Sequence, residues 1–416
     1  MTELSTGPAT GPSGRLPGPE GADRPVVSLA DVLPSVAAAL GHPVRGVPAV
    51  ELPAARSAVV ILVDGLGETL LIRRSGHAPF LRDLRARAGS GSDSGSGSGS
   101  GGTVAMAATS GFPSTTATSV AMFGTGRLPG AHGLVGLDVL DPDRDVLFSE
   151  LAWDPAVDPR RWQPTSTVFQ EVLAVGVDVV RIGPAYFDGS GLTEAALRGG
   201  RFVAADTLEA RVAAAVGATR APGSQLVYLY WGEVDKVGHV HGSESWQWGE
   251  QLTHTDDWIG RLVEQVGPDV LVVVTADHGM VDVPAHERVD VGYEPDLSAG
   301  VRHVGGEPRA VHLYTDEGAA ADVVAAWRER LAGRMELLLR DEAVRAGWFG
   351  PVEPWVLPRI GDVVGAALGS FAVVDSRTAR PELLRLIGLH GARSPQEQLI
   401  PLLATLGTGP AHRSLS

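Results

Sequence analysis

The sequence predicts an α/β fold with a mainly parallel central sheet flanked by helices. Three short apolar runs, at 58–63, 225–231 and 270–275, have the length and the β-branched content of strands buried on both faces. Segments with helical periodicity separate these runs along the chain. Buried strands that alternate with helices are typical of parallel sheets, because a helix carries the chain back to the start of the next strand.

Weaker patterns complete the predicted set of elements. Two further strands are predicted at 177–182 and 309–314. Helices are predicted at roughly 79–88, 116–124, 166–175, 205–216, 244–266, 318–332 and 395–405. The stretch from about 283 to 370 is rich in Gly, Pro and Trp and less regular, which predicts a smaller inserted lobe or lid.

The predicted organisation is one catalytic domain, residues 26–416, preceded by a tail. Residues 1–25 are polar, rich in Pro and Gly, and lack the apolar stretch of a secretion signal. They predict a disordered N-terminal tail on a cytoplasmic protein. Residues 89–102 consist almost entirely of Gly and Ser, a composition typical of a flexible loop inserted within a domain.

The composition excludes several classes of function. A net charge of −15 argues against binding to a nucleic acid polymer. No apolar run approaches the ~20 residues that a membrane-spanning helix needs, so no membrane partner is expected. Because Cys is absent, any bound metal must have oxygen and nitrogen ligands, which favours zinc or manganese. Divalent ions would also let an acidic chain accept a small anionic substrate.

Three acidic residues stand at or just after the ends of the strongest predicted strands. They are Asp64, Asp235 and Asp277. The binding crevice of a parallel sheet lies beyond the carboxyl ends of its strands, so these three side chains are expected to converge. An Asp at a strand end can equally make a turn or cap a helix. For Asp64 alone, both interpretations remain open.

Histidines accompany two of these acidic residues. Asp235 and His239 have the i, i+4 spacing that places both on one face of a helix, although Gly238 also permits a loop. The same spacing favours His239 over the nearby His241 as a ligand. A carboxylate and an imidazole together suit zinc well.

The second pairing of acid and imidazole consists of adjacent residues. Asp277 and His278 follow directly on a predicted strand and are followed by Gly279. Neighbouring side chains of an extended strand point to opposite faces, so the chain must turn here if both are to act together. Gly279 permits such a turn, and this pattern indicates a ligand pair.

A hydroxyl group stands at the predicted start of the 116–124 helix. Thr115 and Thr116 follow a Pro and precede a run of small residues. The amide groups and the dipole at a helix N-terminus favour an anion such as phosphate. A Thr in this place is also a common N-cap, and the two roles are compatible. A bare Thr hydroxyl needs a base or a metal before it becomes a good nucleophile.

Taken together, these motifs resemble the type I phosphodiesterase or nucleotide pyrophosphatase/phosphodiesterase group of the alkaline phosphatase superfamily. The matching segments are VDGLG at 63–67, FPSTTAT and GTGRLPGAHG within 112–133, D-x-x-x-H at 235–239, DHGM at 277–280 and LHG at 389–391. Their order along the chain also matches the family. The resemblance implies an alkaline-phosphatase-like core.

The resemblance further implies two metal sites, usually occupied by Zn²⁺, with Mn²⁺ as the alternative. One ion would be held by Asp64, Thr116, Asp277 and His278, and the other by Asp235, His239 and His390. The assignment of His390 comes from the resemblance, because a lone His before Gly is more often a loop residue.

The resemblance places the nucleophile at Thr116, counted from the Thr125-Gly126 and His132-Gly133 landmarks, with Thr115 as the alternative. The chain differs from the vertebrate-type members at two points. Ser119 stands where they have a phosphate-binding Asn, so Ser119 is the predicted replacement contact. The chain also lacks the cysteines of those secreted, disulfide-bonded members.

The implied function is metal-dependent hydrolysis of phosphodiester or phosphoanhydride bonds in a small nucleotide-like substrate, through a covalent phospho-Thr intermediate. A phosphomonoesterase or a hydrolase of carbon–phosphorus bonds on the same scaffold is the first alternative. A binding protein for phosphate esters that has lost its chemistry is the second. The presence of all seven candidate ligands argues against that second alternative.

Overall fold

The structure, a computed structural model, describes residues 27–89 and 102–410. The predicted tail at 1–25 lies outside the described residues, as does nearly all of the Gly/Ser segment at 89–102. The predictions of a disordered tail, of a flexible loop and of a single domain over 26–416 therefore stay predictions.

The strands of the described residues are numbered in chain order. They are β1 (Ser57–Val63), β2 (Val104–Thr109), β3 (Asp138–Asp141), β4 (Val146–Ser149), β5 (Asp178–Gly183), β6 (Arg201–Ala204), β7 (Gln225–Trp231), β8 (Val270–Thr275), β9 (Val281–Asp282), β10 (Arg288–Asp290), β11 (Val301–Glu307), β12 (Ala310–Thr315), β13 (Met335–Leu339), β14 (Val363–Ala367), β15 (Ala372–Val374), β16 (Gly388–Leu389) and β17 (Leu399–Leu406).

The α-helices are numbered in the same way. They are α1 (Val32–Ala39), α2 (Glu68–Arg73), α3 (Pro79–Gly89), α4 (Thr116–Thr125), α5 (Pro129–His132), α6 (Pro159–Trp162), α7 (Val168–Ala174), α8 (Gly191–Ala196), α9 (Leu208–Thr219), α10 (Glu233–His241), α11 (Trp246–Gln265), α12 (Pro295–Ser298), α13 (Ala320–Arg330), α14 (Arg340–Arg345) and α15 (Pro395–Gln398). Short 3-10 helices lie at Leu29–Asp31, Ser75–His77, Ala185–Phe187, Ala285–Glu287, Val291–Tyr293, Leu357–Arg359 and Leu383–Arg385.

The central sheet has seven strands in the order β2-β17-β8-β1-β7-β5-β6. Strands β8, β1, β7, β5 and β6 run parallel to one another. Strand β17 lies antiparallel between β8 and β2. Every residue of β1 and β8 is buried, as expected for apolar strands that helices cover on both faces. The predicted α/β class with a mainly parallel central sheet is confirmed.

The strand predictions agree closely with the structure. All five predicted strands are present as β1, β5, β7, β8 and β12, with ends within one residue of the prediction. The Asp235–His239 segment, for which a helix or a loop was possible, lies in the helix α10. Six of the seven predicted helices correspond to α3, α4, α7, α9, α11 and α13.

The helix predicted at 395–405 is wrong over most of its length. Only Pro395–Gln398 is helical, and Leu399–Leu406 forms β17 in the interior of the central sheet. Pro401 disfavours a helix here, because a proline within a helix clashes with the preceding turn and removes a hydrogen bond. In β17, Pro401 stands just outside the stretch from Leu402 to Leu406 that pairs with β8.

A second sheet occupies much of the region predicted to form a smaller lobe. It has six strands in the order β13-β14-β12-β11-β3-β4, and its neighbours pair antiparallel. Apolar side chains of β12 and β14 pack with Trp327 of α13 in a hydrophobic cluster separate from the main core. The sequence prediction missed β3 and β4, which come from an earlier part of the chain. A role as a lid stays a prediction.

None of the helices within the described ranges combines the length and the apolar character required to span a bilayer.

Candidate functional site

The three predicted acidic ligands follow three adjacent strands of the central sheet. Asp64 follows β1 directly, Asp277 comes two residues after β8, and Asp235 lies in the first turn of α10 just after β7. Because β1 lies between β7 and β8 and all three are parallel, their carboxyl ends meet at one edge. The Gly65 amide donates to Asp277 Oδ1 at 3.1 Å and links two of these loops. The expected convergence is present.

Two glycines permit this close approach of the loops. Gly65 has a φ of +72°, and a Cβ atom there would lie 2.9 Å from the backbone of Asp235. Gly279 stands where a Cβ atom would lie only 2.0 Å from the carbonyl oxygen of Gln396. The turn expected after Asp277 thus depends at Gly279 on close packing rather than on a positive φ.

The first group of possible metal ligands contains Asp64, Asp277 and His278. Their ligand atoms all lie within 4.8 Å of one another, and all three residues are buried. His278 Nε2 is 3.3 Å from Asp64 Oδ1 and 3.6 Å from Asp277 Oδ2. Thr116 Oγ1 lies 3.2 Å from the same nitrogen. The four residues that the resemblance assigned to one ion are therefore neighbours.

The second group contains Asp235, His278 and His390, whose ligand atoms also lie within 4.8 Å of one another. His239 Nε2 is 3.2 Å from Asp235 Oδ2, and its ring centroid is 5.2 Å from that of His390. The rings of His278 and His390 stack at 3.7 Å. All seven predicted ligands are thus brought together, with His278 positioned between the two groups.

All three histidines direct Nδ1 at a backbone carbonyl oxygen. The contacts join His239 to Gly388 at 2.7 Å, His278 to Gly279 at 3.0 Å and His390 to Ser114 at 3.0 Å. A carbonyl oxygen only accepts hydrogen bonds, so Nδ1 must carry the proton of the neutral ring. The lone pair then resides on Nε2, as in histidines that bind a metal through Nε2.

Three carboxylate oxygens of the predicted ligands are buried and accept no hydrogen bond within the described part of the chain. They are Asp64 Oδ1, Asp235 Oδ1 and Asp277 Oδ2. Burial of an unpaired charged oxygen is costly, so these atoms require a cation or a proton. Together with three imidazole nitrogens, they form an all-oxygen-and-nitrogen donor set that fits divalent zinc or manganese.

The pKa values of the carboxyl groups reflect their burial first and the neighbouring charges second. Burial, together with the charges of Asp277 and Asp235, raises the pKa of Asp64 well above its ordinary value. Burial also raises the pKa of Asp277. Asp235 differs, because the effect of its burial is outweighed by His239 and His390, which lower its pKa. A bound cation would remove the repulsion that holds protons on Asp64 and Asp277.

The two threonines have different environments. Thr116 is the first residue of α4, and its hydroxyl faces His278 Nε2. Thr115 precedes the helix, and its side chain interacts with Glu307 and lowers the pKa of that carboxyl group, outside the ligand groups. The geometry therefore favours Thr116 over Thr115 as the reactive hydroxyl.

The family described as type I phosphodiesterase / nucleotide pyrophosphatase matches residues 58–393. The chain belongs to this family. Among curated proteins, human ectonucleotide pyrophosphatase/phosphodiesterase family member 7 is 35% identical over 80 residues. That match covers 18% of this chain and 18% of the human protein.

Solved structures confirm that the fold is shared with family members. Murine ectonucleotide pyrophosphatase / phosphodiesterase 5 has a TM-score of 0.64 at 19% identity, over 86% of this chain and 89% of that one. A phosphonoacetate hydrolase from Sinorhizobium meliloti 1021, in complex with phosphonoacetate, has a TM-score of 0.64 at 18% identity, over 87% and 92%. An inactive threonine-to-alanine form of the murine protein is in complex with AMP.

Ser119, the predicted phosphate contact of this family member, lies one turn after Thr116 on α4 and is fully buried. Its hydroxyl has no hydrogen-bond partner in the ranges that the structure describes. The hydroxyl therefore has unused hydrogen-bonding capacity, and its contact with phosphate stays a prediction. His241, by contrast, is exposed, which supports His239 as the ligand.

Sequence reasoning missed two residues that contact the predicted ligands. The Tyr230 hydroxyl donates a hydrogen bond to Asp64 Oδ2. Burial raises the pKa of Tyr230 well above its ordinary value, so the phenol remains a neutral donor. Glu307, at the end of β11, is buried and places Oε2 3.5 Å from His390 Nδ1. Tyr230 lies five residues before Asp235, but no spacing signal connects Glu307 to the site.

Proposed function

We propose that this chain is a metal-dependent phosphodiesterase that hydrolyses phosphodiester or phosphoanhydride bonds in a small nucleotide-like substrate. The observation that carries the proposal is the position of the Thr116 hydroxyl, 3.2 Å from His278 Nε2 and beside both groups of ligands. Membership of the phosphodiesterase family supports the same reaction class.

Two divalent ions, Zn²⁺ or else Mn²⁺, fit the donor set. Asp64, Asp277, His278 and Thr116 would hold one ion, and the other would be held by Asp235, His239 and His390. Bound ions would lower the pKa of the Thr hydroxyl and stabilise the negative charge that develops on the phosphoryl and leaving-group oxygens. Three carboxylates and one alkoxide balance the charge of two divalent ions, so the loaded site is close to neutral.

Thr116 is the proposed nucleophile. Its Oγ1 attacks phosphorus, the bond from phosphorus to the leaving-group oxygen breaks, and the leaving oxygen takes up a proton. Water then attacks the phospho-Thr, releases the product and restores the hydroxyl. The amides in the first turn of α4 have no partner within the helix, and they can donate to phosphate oxygens. The inactive threonine-to-alanine form of the murine relative is consistent with this role.

The charge of the site favours diesters over monoesters. A diester brings one negative charge, whereas a monoester brings up to two and usually demands additional cationic contacts. Arg127 and Lys236, the basic residues nearest to the motifs in sequence, are exposed, and Lys236 forms an ion pair with Glu233. Neither therefore supplies a buried positive charge to the phosphoryl group.

Hydrolysis of a carbon–phosphorus bond is the second candidate function. It is favoured by the phosphonoacetate hydrolase, which matches this chain with the same TM-score as the murine phosphodiesterase. Phosphonoacetate carries a carboxylate as well as a phosphonate, so this reaction would require a cationic contact for the second anion.

A rate comparison tests these functions. Zinc-loaded protein would be assayed on a nucleoside 5′-monophosphate p-nitrophenyl ester, on p-nitrophenyl phosphate and on phosphonoacetate. We expect turnover of the diester to exceed the others, to disappear on chelation and to return with zinc. A preference for p-nitrophenyl phosphate or for phosphonoacetate would move the function to the corresponding alternative. Stoichiometric metal binding without turnover of any of the three would contradict the proposed phosphodiesterase.

A further inference from the structure

A buried ion pair links the second sheet to the segment that carries His390. Arg309 donates from Nε to Glu397 Oε1 at 2.7 Å and from Nη2 to Glu397 Oε2 at 2.8 Å. Both side chains have 0% exposure. Arg309 lies in the two-residue turn between β11 and β12, and Glu397 lies in α15, just before β17. The pair therefore connects the two sheets.

Glu397 in turn holds the chain directly after His390. Its Oε1 accepts a hydrogen bond from the Ala392 amide at 2.9 Å, and its Oε2 accepts one from the Ser394 hydroxyl. With the two bonds from Arg309, each carboxylate oxygen has two donors. The carboxylate is fully satisfied, so it has no lone pair left for a metal and is suited to fixing the backbone at Ala392.

The same segment is hydrogen-bonded to the loop between β2 and α4, just before the proposed nucleophile. The Ser114 amide donates to the Gly391 carbonyl oxygen at 3.0 Å, and the Ser114 hydroxyl donates to the Ala392 carbonyl oxygen at 2.7 Å. Ser114 also accepts the His390 Nδ1 proton on its own carbonyl oxygen. A shift of the backbone at 390–392 would therefore turn the His390 ring and disturb the start of α4.

Glu307 contacts this segment from the other side of the β11–β12 turn. Its carboxylate lies 3.5 Å from His390 Nδ1 and interacts with the Thr115 side chain. Gly391 has a φ of +127°, and a Cβ atom there would lie 2.6 Å from Glu307 Cγ. One turn of the second sheet thus packs closely on both the segment carrying His390 and the residue before Thr116.

We propose that Arg309, acting through Glu397, is a positioning residue that sets the direction of the His390 Nε2 lone pair toward Asp235. The inference rests on the proposed function, in which His390 binds the second metal ion. Stability alone does not require this pair, because well-packed apolar residues often replace a buried ion pair without loss. What an apolar pair cannot replace is the acceptor for the Ala392 amide.

The test compares metal binding and thermal stability in three variants. Arg309→Met leaves Glu397 buried without its partner, and Arg309→Met/Glu397→Met removes both charges. Arg340→Met is the control, because Arg340 forms a partly exposed ion pair with Asp362 at 2.7 Å beside the β13 and β14 ends of the same sheet. Within the described residues, its hydrogen bonds go to Ile360 and Asp362 rather than to the His390 segment. Zinc stoichiometry and affinity are measured by titration calorimetry on chelator-treated protein, and Tm by calorimetric scanning.

We expect the wild type and Arg340→Met to bind two zinc ions per chain with similar affinities. Arg309→Met should lower Tm and weaken the second ion by about 10–100-fold, the usual effect of losing a group that orients a ligand. The double variant should regain much of the lost Tm, because no buried charge is left unpaired, but should keep the weakened second site.

Recovery of Tm and of zinc affinity together in the double variant would overturn the inference, because the pair would then serve stability alone. Unchanged affinity for the second ion in Arg309→Met would overturn it as well. If Arg309→Met does not fold, the double variant still decides the matter. Failure of the wild type itself to bind two ions would instead contradict the proposed function, so the two failures are distinguishable.

Discussion

The carboxyl edge of the central sheet and the Arg309–Glu397 pair at the second sheet both bury charged side chains, but their carboxylate oxygens are satisfied differently. At the central sheet, Asp64, Asp235 and Asp277 each keep one buried oxygen without a hydrogen bond in the described chain. At the turn, Arg309 and Glu397 satisfy each other, and both Glu397 oxygens have two donors. The first region is incomplete without a cation, whereas the Arg309–Glu397 pair is complete as it stands.

This difference distinguishes residues that can bind a cation from residues that hold those binding residues in position. A buried carboxylate with a free lone pair is poised to bind a cation, and the cost of its burial is recovered only when the cation is present. A buried carboxylate whose oxygens all accept hydrogen bonds fixes the local geometry in both the metal-free and the metal-bound protein.

The largest effect is expected at the reactive hydroxyl. Thr116→Ala removes the nucleophile and should lower kcat on a diester substrate by at least about 10⁴-fold. Zinc stoichiometry should remain at two, because the three carboxylates and three imidazoles are unchanged. Steady-state rates and metal analysis on the same preparation measure both.

Thr115→Ala is the control for this assignment. Thr115→Ala removes only an interaction with Glu307, outside the ligand groups, so we expect kcat to fall far less than in Thr116→Ala. If Thr115→Ala is inactive while Thr116→Ala keeps a nearly normal rate, the nucleophile is Thr115 and the assignment is off by one residue.

The next largest effect is expected on the stability of metal-free protein, where a carboxylate with an unpaired oxygen can be compared with a fully hydrogen-bonded one. Asp277→Asn keeps the acceptor for the Gly65 and His278 amides and removes a charge that repels Asp64. Its free energy of unfolding should be unchanged or higher. Glu397→Gln leaves the Arg309 guanidinium without a counter-charge, and the free energy of unfolding should fall by about 3–5 kcal/mol.

Urea unfolding of chelator-treated protein at neutral pH measures these two changes. In the presence of zinc, Asp277→Asn should instead be less stable than the wild type, because it has lost a metal ligand and gains less stability from the bound metal. Equal destabilisation by both substitutions in the metal-free state would show that Asp277 is a structural group like Glu397.

The sequence predicted the central sheet and its ligands well for one physical reason. Strands β1, β7 and β8 are almost continuous apolar runs, which identifies them as buried strands of a parallel sheet. The binding crevice of such a sheet lies beyond the carboxyl ends of its strands, where an acidic residue that follows the run is located. The positions of Asp64, Asp235 and Asp277 therefore followed from local patterns. The position of His390 could not be predicted in this way, because its neighbours in sequence have no such pattern. Only the family resemblance identified it.

The second sheet was harder to predict because its contacts join distant parts of the chain. Strand β11 pairs with β3, more than 150 residues earlier, through Gly306 and Asp138. Glu307 contacts His390 and Arg309 contacts Glu397 from this sheet, so these pairings could not be found from spacing. The strand β17 was mistaken for a helix because a short apolar run has no distinctive period.

A third prediction concerns a buried acid of the second sheet region. Glu150 follows β4 and accepts hydrogen bonds from Trp162 Nε1 at 2.7 Å and from two backbone amides. Burial nonetheless raises its pKa from an ordinary value of 4.5 to about 8. Between these pH values the folded protein keeps a proton that the unfolded chain has lost, so stability falls as the pH rises from about 4.5 to 8.

Glu150→Gln should remove this dependence. The difference in unfolding free energy between wild type and Glu150→Gln should change by about 2–4 kcal/mol between pH 5 and pH 8.5, with the wild type losing stability as the pH rises. Urea unfolding across this range measures the change in that difference, which cancels the titration of other groups. A difference that stays constant would mean that the Glu150 carboxyl is already ionised at pH 5.

The smallest effect is expected at Tyr230, the donor to the second oxygen of Asp64. Tyr230→Phe frees that oxygen to rotate and should weaken zinc binding by about 10-fold, with little change in the stability of metal-free protein. Tyr314→Phe is the control from the second sheet, where the hydroxyl donates to the Arg359 carbonyl oxygen at 2.6 Å and accepts from the Leu140 amide. That substitution should lower Tm and leave zinc affinity unchanged. If instead both variants lose stability and neither loses zinc affinity, Tyr230 belongs with the groups that complete the fold, and Asp64 is held in place by the metal alone.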